Sequence, residues 1–270
     1  MRINTWRVAL VVASATLFLS RAAAHDLWLV PPASAKPNEK AAVSAVSGTK
    51  FPNGDHAPDP SKFAKRIVVA PDGTVLEADA GGMKEKAGLL TWMPTKDGVY
   101  AVAVQTAPKI LKLDAEVFND YLVSDGLPHI YRLRAKEKSL DQPAVERYSK
   151  SPKALVRVGD GKGGDPYQPL GLPLEIVPLT DPFSRKVGDA LKVRVLFDGK
   201  PLADANLGWD HPGDGQDPAG TVRTDSKGEA LIPVARAGLM TIRLTHMTRP
   251  KTKDYEWESF WTTLTFRIPE

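Results

Sequence analysis

Residues 224–247, TDSKGEALIPVARAGLMTIRLTHM, decide how this chain folds. Lys227-Gly228 and Ala237-Gly238 are turn signals, and the stretch after the second alternates strictly. Period two places Met240, Ile242, Leu244 and His246 on one face and Thr241, Arg243, Thr245 and Met247 on the other, the pattern of a strand with one apolar face. Working outward, the same grammar recurs. GDALKVRVLFDGKPLADANLGW (188–209) is strand, turn at Asp198-Gly199 and strand, and SFWTTLTFRI (259–268) is a final strand. Upstream, KAAVSAVSG (40–48), KRIVVAPDGTVL (65–76) and GLLTWMPTKDGVYAVAVQT (88–106) read as strands joined by Gly- and Pro-marked turns. Short strands without intervening amphipathic helices predict a mainly β protein of antiparallel sandwiches, Ig-like or prealbumin-like. KDGVYAVAVQT (96–106) and RAGLMTIRLTHM (236–247) echo each other, a turn glycine leading into an alternating strand, which suggests two domains of one class.

Between the halves the texture changes. LDAEVFNDYLVSDGL (113–127) carries Asp114 as an N-cap candidate, Val117, Tyr121 and Leu122 at helical spacing, and Gly126 as a stop. A second helical stretch is expected in PAVERYSKSPKALV (143–156), broken at Pro152, and His129 reads as a turn or strand-edge residue. The expected organisation is an N-terminal sandwich over 25–160 with a helical insertion near 113–150, a linker over 161–173, and a C-terminal Ig-like sandwich over 174–270.

The first residues form an export signal. Arg2 and Arg7 precede the apolar run Val8–Leu19, and Ala22 and Ala24 supply a small-x-small cleavage pattern. Cutting after Ala24 makes His25 the first of 246 residues. It also removes three arginines and no acids, so the formal charge drops from +4 to +1 and gives no reason to expect a nucleic-acid partner. No other apolar run approaches membrane-spanning length, so the expectation is a periplasmic protein without an integral membrane segment. With no cysteine, any metal site must use N, O or thioether ligands.

A terminal histidine offers its α-amine and a ring nitrogen to one ion, a donor set suited to Cu, Ni, Co or Zn rather than Mg or Ca; the expected ion is Ni, Co or Cu. His25, Leu27 and Leu29 share one face of HDLWLV (25–30). His246, at the rim of its strand, is the expected second ligand. His56, in FPNGDHAPDP (51–60) between Asp55 and Asp59, is the third candidate. His211, among Asp210, Asp214 and Asp217, lacks EF-hand spacing. Trp257 and Trp261 lie four apart and so share a face, either as a stacking platform for sugars or as packing. No Gly-x-Ser-x-Gly elbow, phosphate loop or His-Glu-x-x-His helix is present.

The set AHDLWLVP, FNDYLVSDGL, ERYSKSPKALVRVG, LEIVPL, VRVLFDGKPLADA, TDSKGEA, AGLMTIRLTHM and WTTLTFRI, in this order, resembles the bacterial domain-of-unknown-function family 4198. That resemblance implies a periplasmic protein associated with nickel or cobalt uptake, with an envelope uptake system as partner. Lys50 stands where related sequences often carry a histidine before Phe51-Pro52, so no ligand is carried over there. Three readings follow: a transition-metal binding protein, a polysaccharide- or protein-binding module using the tryptophans, and a copper oxidase of the histidine-brace type with an open site beside a flat surface.

Overall fold

The computed structural model describes residues 25–162, 164 and 167–270; the expected signal segment lies outside them. The first part of the chain runs through β1 (Asp26–Val30), β2 (Ala41–Gly48), β3 (Phe63–Val69), β4 (Val75–Glu77), β5 (Asp79–Lys84), β6 (Ala87–Trp92), β7 (Gly98–Thr106) and β8 (Lys109–Leu113). Two helices follow, α1 (Ala115–Ser124) and α2 (Pro128–Lys136), then β9 (Ala144–Lys150) and β10 (Lys153–Val158). The remainder comprises β11 (Leu174–Pro178), β12 (Ala190–Phe197), β13 (Lys200–Pro201), β14 (Asn206–Asp210), β15 (Gly220–Arg223), β16 (Glu229–Pro233), β17 (Gly238–Thr248) and β18 (Trp257–Ile268).

The alternating stretch that opened the argument is β17, and its partner is the last strand. β17 and β18 pair antiparallel from Gly238↔Ile268 to Thr248↔Glu258. β18 then continues the sheet in an unexpected direction. Its first half lies parallel to β9 and its second half parallel to β10, through Leu264↔Lys153 and Ala154↔Thr265. One ten-stranded sheet therefore crosses the boundary expected near residues 161–173, in the order β15-β14-β17-β18-β10-β7-β3-β4, with β9 and β8 branching from β18. The echo between KDGVYAVAVQT and RAGLMTIRLTHM is the echo of two strands, β7 and β17, of this shared sheet.

The two faces of the sheet carry different layers. On one face, β1-β2-β6-β5 packs Leu27, Leu29, Val43 and Leu90 against Tyr100, Val102, Ala154 and Val156. On the other, β11-β12-β13 with β16 packs Ile176, Val193, Val195 and Ile232 against Ala101, Leu155, Ile242 and Leu264. Alternate residues of β7 and β10 thus belong to opposite cores, as period two requires. The protein is two sandwiches sharing a middle sheet. Buried Lys153 fastens the second layer by pairing with Glu175 of β11 at 2.7 Å, and the amides of Leu170 and Leu172 also donate to that carboxylate.

The helical hairpin covers the far end of the first face. α1 starts after Asp114 and stops before Gly126, which takes φ +73°. Phe118, Tyr121 and Leu122 pack with Met247, Trp257 and Trp261. The second helix is PHIYRLRAK, with Pro128 in its first turn, where a missing N–H costs nothing. Arg134 is buried and closes the hairpin by donating to Ser139 O and Gln142 O, both at 2.6 Å. The expected helix in 143–156 is instead β9 and β10. That segment contains good helix formers, but its burial alternates, with Ala144 and Glu146 inside, and β8 and β18 satisfy its backbone on both sides.

Candidate functional site

The first strand is tied down by both of its faces. Leu27 and Leu29 enter the sandwich core, while Trp28 is 1% exposed and meets Phe51 edge to face at 5.6 Å. Thr263 Oγ1 donates to Leu27 O at 2.9 Å, which fastens β1 onto β18. His25 therefore stands at the end of an anchored strand.

The loop after β2 brings His56 to it. The chain doubles back so that the Asp55 and His56 amides donate to Ser47 O at 2.8 and 3.1 Å, and Ser47 N returns a bond to His56 O. Two glycines permit this closeness. A Cβ on Gly48 would collide with Asn53 O, and one on Gly54 would lie 2.7 Å from a Val46 methyl. Thr49 N donates to Asp55 Oδ2 at 3.2 Å. The same oxygen lies 3.4 Å from His25 Nε2. The rings of His25 and His56 are 5.2 Å apart, tilted by 30°. Two imidazoles and a carboxylate thus gather from β1 and from a turn locked to β2. Among the described residues no three His, Cys, Asp or Glu side chains already form an ion-binding group.

The histidine pair opens onto a cavity of about 310 Å³. Its walls come from β8, β9, β18 and α1, and include Lys109, Leu111, Tyr121, Tyr148, Lys150 and Trp261. Trp261 stacks on Tyr121 at 5.6 Å with the planes 11° apart, and its Nε1 donates to Ser259 Oγ at 3.0 Å. Lys150 Nζ donates to His25 O and sits 4.8 Å from the centre of the Trp261 ring. Burial lowers the Lys150 pKa, while Asp26, Asp125 and Glu146 oppose the shift. Glu146 is 2% exposed and accepts from Tyr121 Oη at 3.0 Å and from Ser259 Oγ. Burial raises its pKa, against the pull of those hydroxyls.

Behind β1 lies an ionic cluster. Arg243 of β17 donates to Asp26 at 2.9 Å and forms an ion pair with Asp210 of β14 at 2.9 Å. Burial raises Asp210 to about 6, with Arg243 opposing. Asp125, at the end of α1, is pushed well above the carboxylate range by burial and then by the charge of Asp26. This cluster joins the N-terminal strand, the helical hairpin and the C-terminal half next to the histidine pair.

The structure does not bring His246 to this pair. Period two was read correctly, but it puts His246 with Ile242 and Leu244 on the face covered by β12. There its ring meets Phe197 edge to face at 4.6 Å. His25 lies on the opposite face, with Arg243, Thr263 and Trp261, so the sheet itself separates the expected pair. Burial lowers the His246 pKa to about 4. His129 is on α2 and exposed, and His211 is 2% exposed with Nδ1 3.7 Å from Asp214. Lys50 is exposed in the same loop as His56. The tryptophan pair does share a face, but Trp257 and Trp261 are 1% and 6% exposed, so no open stacking platform exists at these residues. Sequence reasoning missed Lys150, Glu146 and Tyr148 because it assigned their segment to a helix. Their strand alternation was the available signal.

Comparison with known proteins yields one family. The profile of the family described as "Domain of unknown function (DUF4198)" matches residues 22–248. No curated protein matches. Among solved structures, the D0-D1 domain of Intimin is 12% identical, with 91% of this chain and 98% of that chain covered and a TM-score of 0.20. The D00-D0 domain of Intimin is 9% identical, with 89% and 98% covered and a TM-score of 0.21. TM-scores this low carry no argument about function.

Proposed function

The chain belongs to the DUF4198 family, and from that premise we propose that it is an envelope protein that binds a late first-row transition ion at His25 and His56 and buffers it or hands it to an uptake system. The observation that carries this reading is the approach of the two rings, 5.2 Å apart, at the end of an anchored strand. Cleavage after Ala24 frees the His25 amine, which becomes a third nitrogen donor beside the two rings. Such a nitrogen set fits Ni, Co or Cu rather than Mg or Ca.

The chain's own residues have separate tasks. The paired backbones of Ser47 and His56 limit where the His56 ring can go, and the packing of Trp28 and Leu29 does the same for His25. Asp55, 3.4 Å from His25 Nε2, is placed to orient that ring. The donors face a concave recess rather than a flat surface. That shape supports holding and release over the copper oxidase reading, and the buried tryptophans leave the polysaccharide reading without its expected platform.

The test is calorimetric titration of tag-free protein beginning at His25 with Ni, Co and Cu, alongside His25→Ala, His56→Ala and a form extended by one residue ahead of His25. Each change is expected to weaken binding at least tenfold, whereas His246→Gln leaves it intact. Unchanged affinity in His25→Ala and His56→Ala overturns the reading.

A further inference from the structure

We infer that the recess beside His25 and His56 receives the ion as a complex with a small amino or hydroxy carboxylate, whose carboxylate meets Lys150 and whose carbon skeleton lies against Tyr148 and Leu111. This rests on the metal reading above and names the form of its ligand.

The recess is far larger than an ion needs. Its volume of about 310 Å³ falls at the lower end of small-molecule pockets. The protein also leaves coordination positions unfilled. Two imidazoles and one amine are three donors, and late first-row ions take four to six, so a chelator retaining its own amine, hydroxyl or carboxylate can complete the set.

The wall beside the histidines offers groups for such a chelator's other end. Lys150 offers three donors and spends one on His25 O. No carboxylate among the described residues ion-pairs with it; its Nζ lies over the rings of Trp261, at 4.8 Å, and Tyr148, at 5.7 Å. A half-buried ammonium with donors to spare, between aromatic faces, is a carboxylate receptor. Its bond to His25 O also fixes the distance between this receptor and the residue that anchors the ion. The one acid in the wall, Glu146, is occupied by the hydroxyls of Tyr121 and Ser259. Lys109 at the rim adds a second positive charge. The stack of Trp261 on Tyr121 makes the apolar side rigid, which favours a flat or compact ligand.

The experiment uses processed, tag-free protein and two radiolabelled probes, citrate and L-histidine, in equilibrium dialysis with and without Ni or Cu. The expected result is a probe retained with the metal at about one per chain, and not retained alone. Lys150→Gln and Tyr148→Ala are expected to reduce probe retention at least tenfold, exceeding any change in affinity for the metal alone, with circular dichroism confirming the fold. If the metal binds and neither probe is retained, or if both variants retain it unchanged, the chelate inference is overturned while the metal reading stands. If a probe binds equally well without metal, the recess is a carboxylate site in its own right and the chelate inference falls. If no metal binds in either arm, the metal reading falls and takes this inference with it.

Discussion

Lys150 and Lys153 stand three positions apart, on consecutive strands and opposite faces of the shared sheet, and the protein treats their charges in opposite ways. Lys153 is sealed at 1% exposure against Glu175, whose carboxylate is further held by two backbone amides. Lys150 has no carboxylate within ion-pair reach among the described residues and stays half-buried at the edge of a cavity, over an indole ring. The first arrangement completes itself; the second leaves hydrogen-bonding capacity unused. A buried charge with a full set of partners is part of the scaffold, whereas one with donors left over keeps hydrogen-bonding capacity that its surroundings have not satisfied.

The comparison breaks most readily at Lys153. Lys153→Met strands the Glu175 carboxylate and is expected to cost about 3–5 kcal/mol, measured by urea unfolding. Lys153→Met with Glu175→Leu should recover at least half of that loss, because the uncompensated charge goes with its partner. Equal losses in the single and double variants would mean that packing, not charge, joins β10 to β11.

The two faces should also differ in pH dependence. Asp210, beneath β1, is raised from 3.8 to about 6, so the folded state holds a proton that the unfolded state has released. Its contribution is present below pH 3.8 and is lost as pH rises toward 6. His246, under Phe197, is lowered from 6.5 to about 4, so the unfolded state takes up the proton first. Its contribution is present above pH 6.5 and is lost as pH falls toward 4. Each effect amounts to about 1–3 kcal/mol, and in the unmodified protein they oppose each other. Asp210→Asn should therefore make stability rise more steeply with pH between 4 and 6, and His246→Gln should make it fall. Unfolding curves across that window that match the parent in both variants would refute the assignment.

The smallest effect belongs to Lys150. Lys150→Gln is expected to change stability by about 1 kcal/mol or less, because the residue secures one carbonyl and no second layer. A loss as large as that of Lys153→Met would place Lys150 in the scaffold and remove the distinction between the faces.

Much of the strand content was legible. Period two placed Leu27 and Leu29 together, and Met240 with Ile242, Leu244 and His246, because a half-buried strand must present alternate residues to the core. Turn glycines marked the entries to β7 and β17, where Gly98 and Gly238 take φ +133° and +90°. Asp114 and Gly126 bounded α1. The segment 143–156 forms strands rather than the expected helix, although its composition suits a helix. The choice of strand came from β8 and β18, the latter more than a hundred residues away, which supply its hydrogen bonds.

At the candidate site, the sequence by itself supplied the candidate histidines and their strand faces: one expected at the processed terminus, a second in a glycine-bearing turn, and a third on an apolar strand face. It did not determine which of these meet. That was decided when β18 entered the sheet parallel to β9 and β10, an arrangement that joins the two halves through one layer and assigns each face of that layer to a different partner. His246 was thereby turned toward Phe197, while β1 delivered His25 to His56 and to Lys150. Side-chain period is a local consequence of backbone geometry and can be read along the chain. The pairing of distant strands depends on which apolar faces are covered together, and only the folded protein decides that.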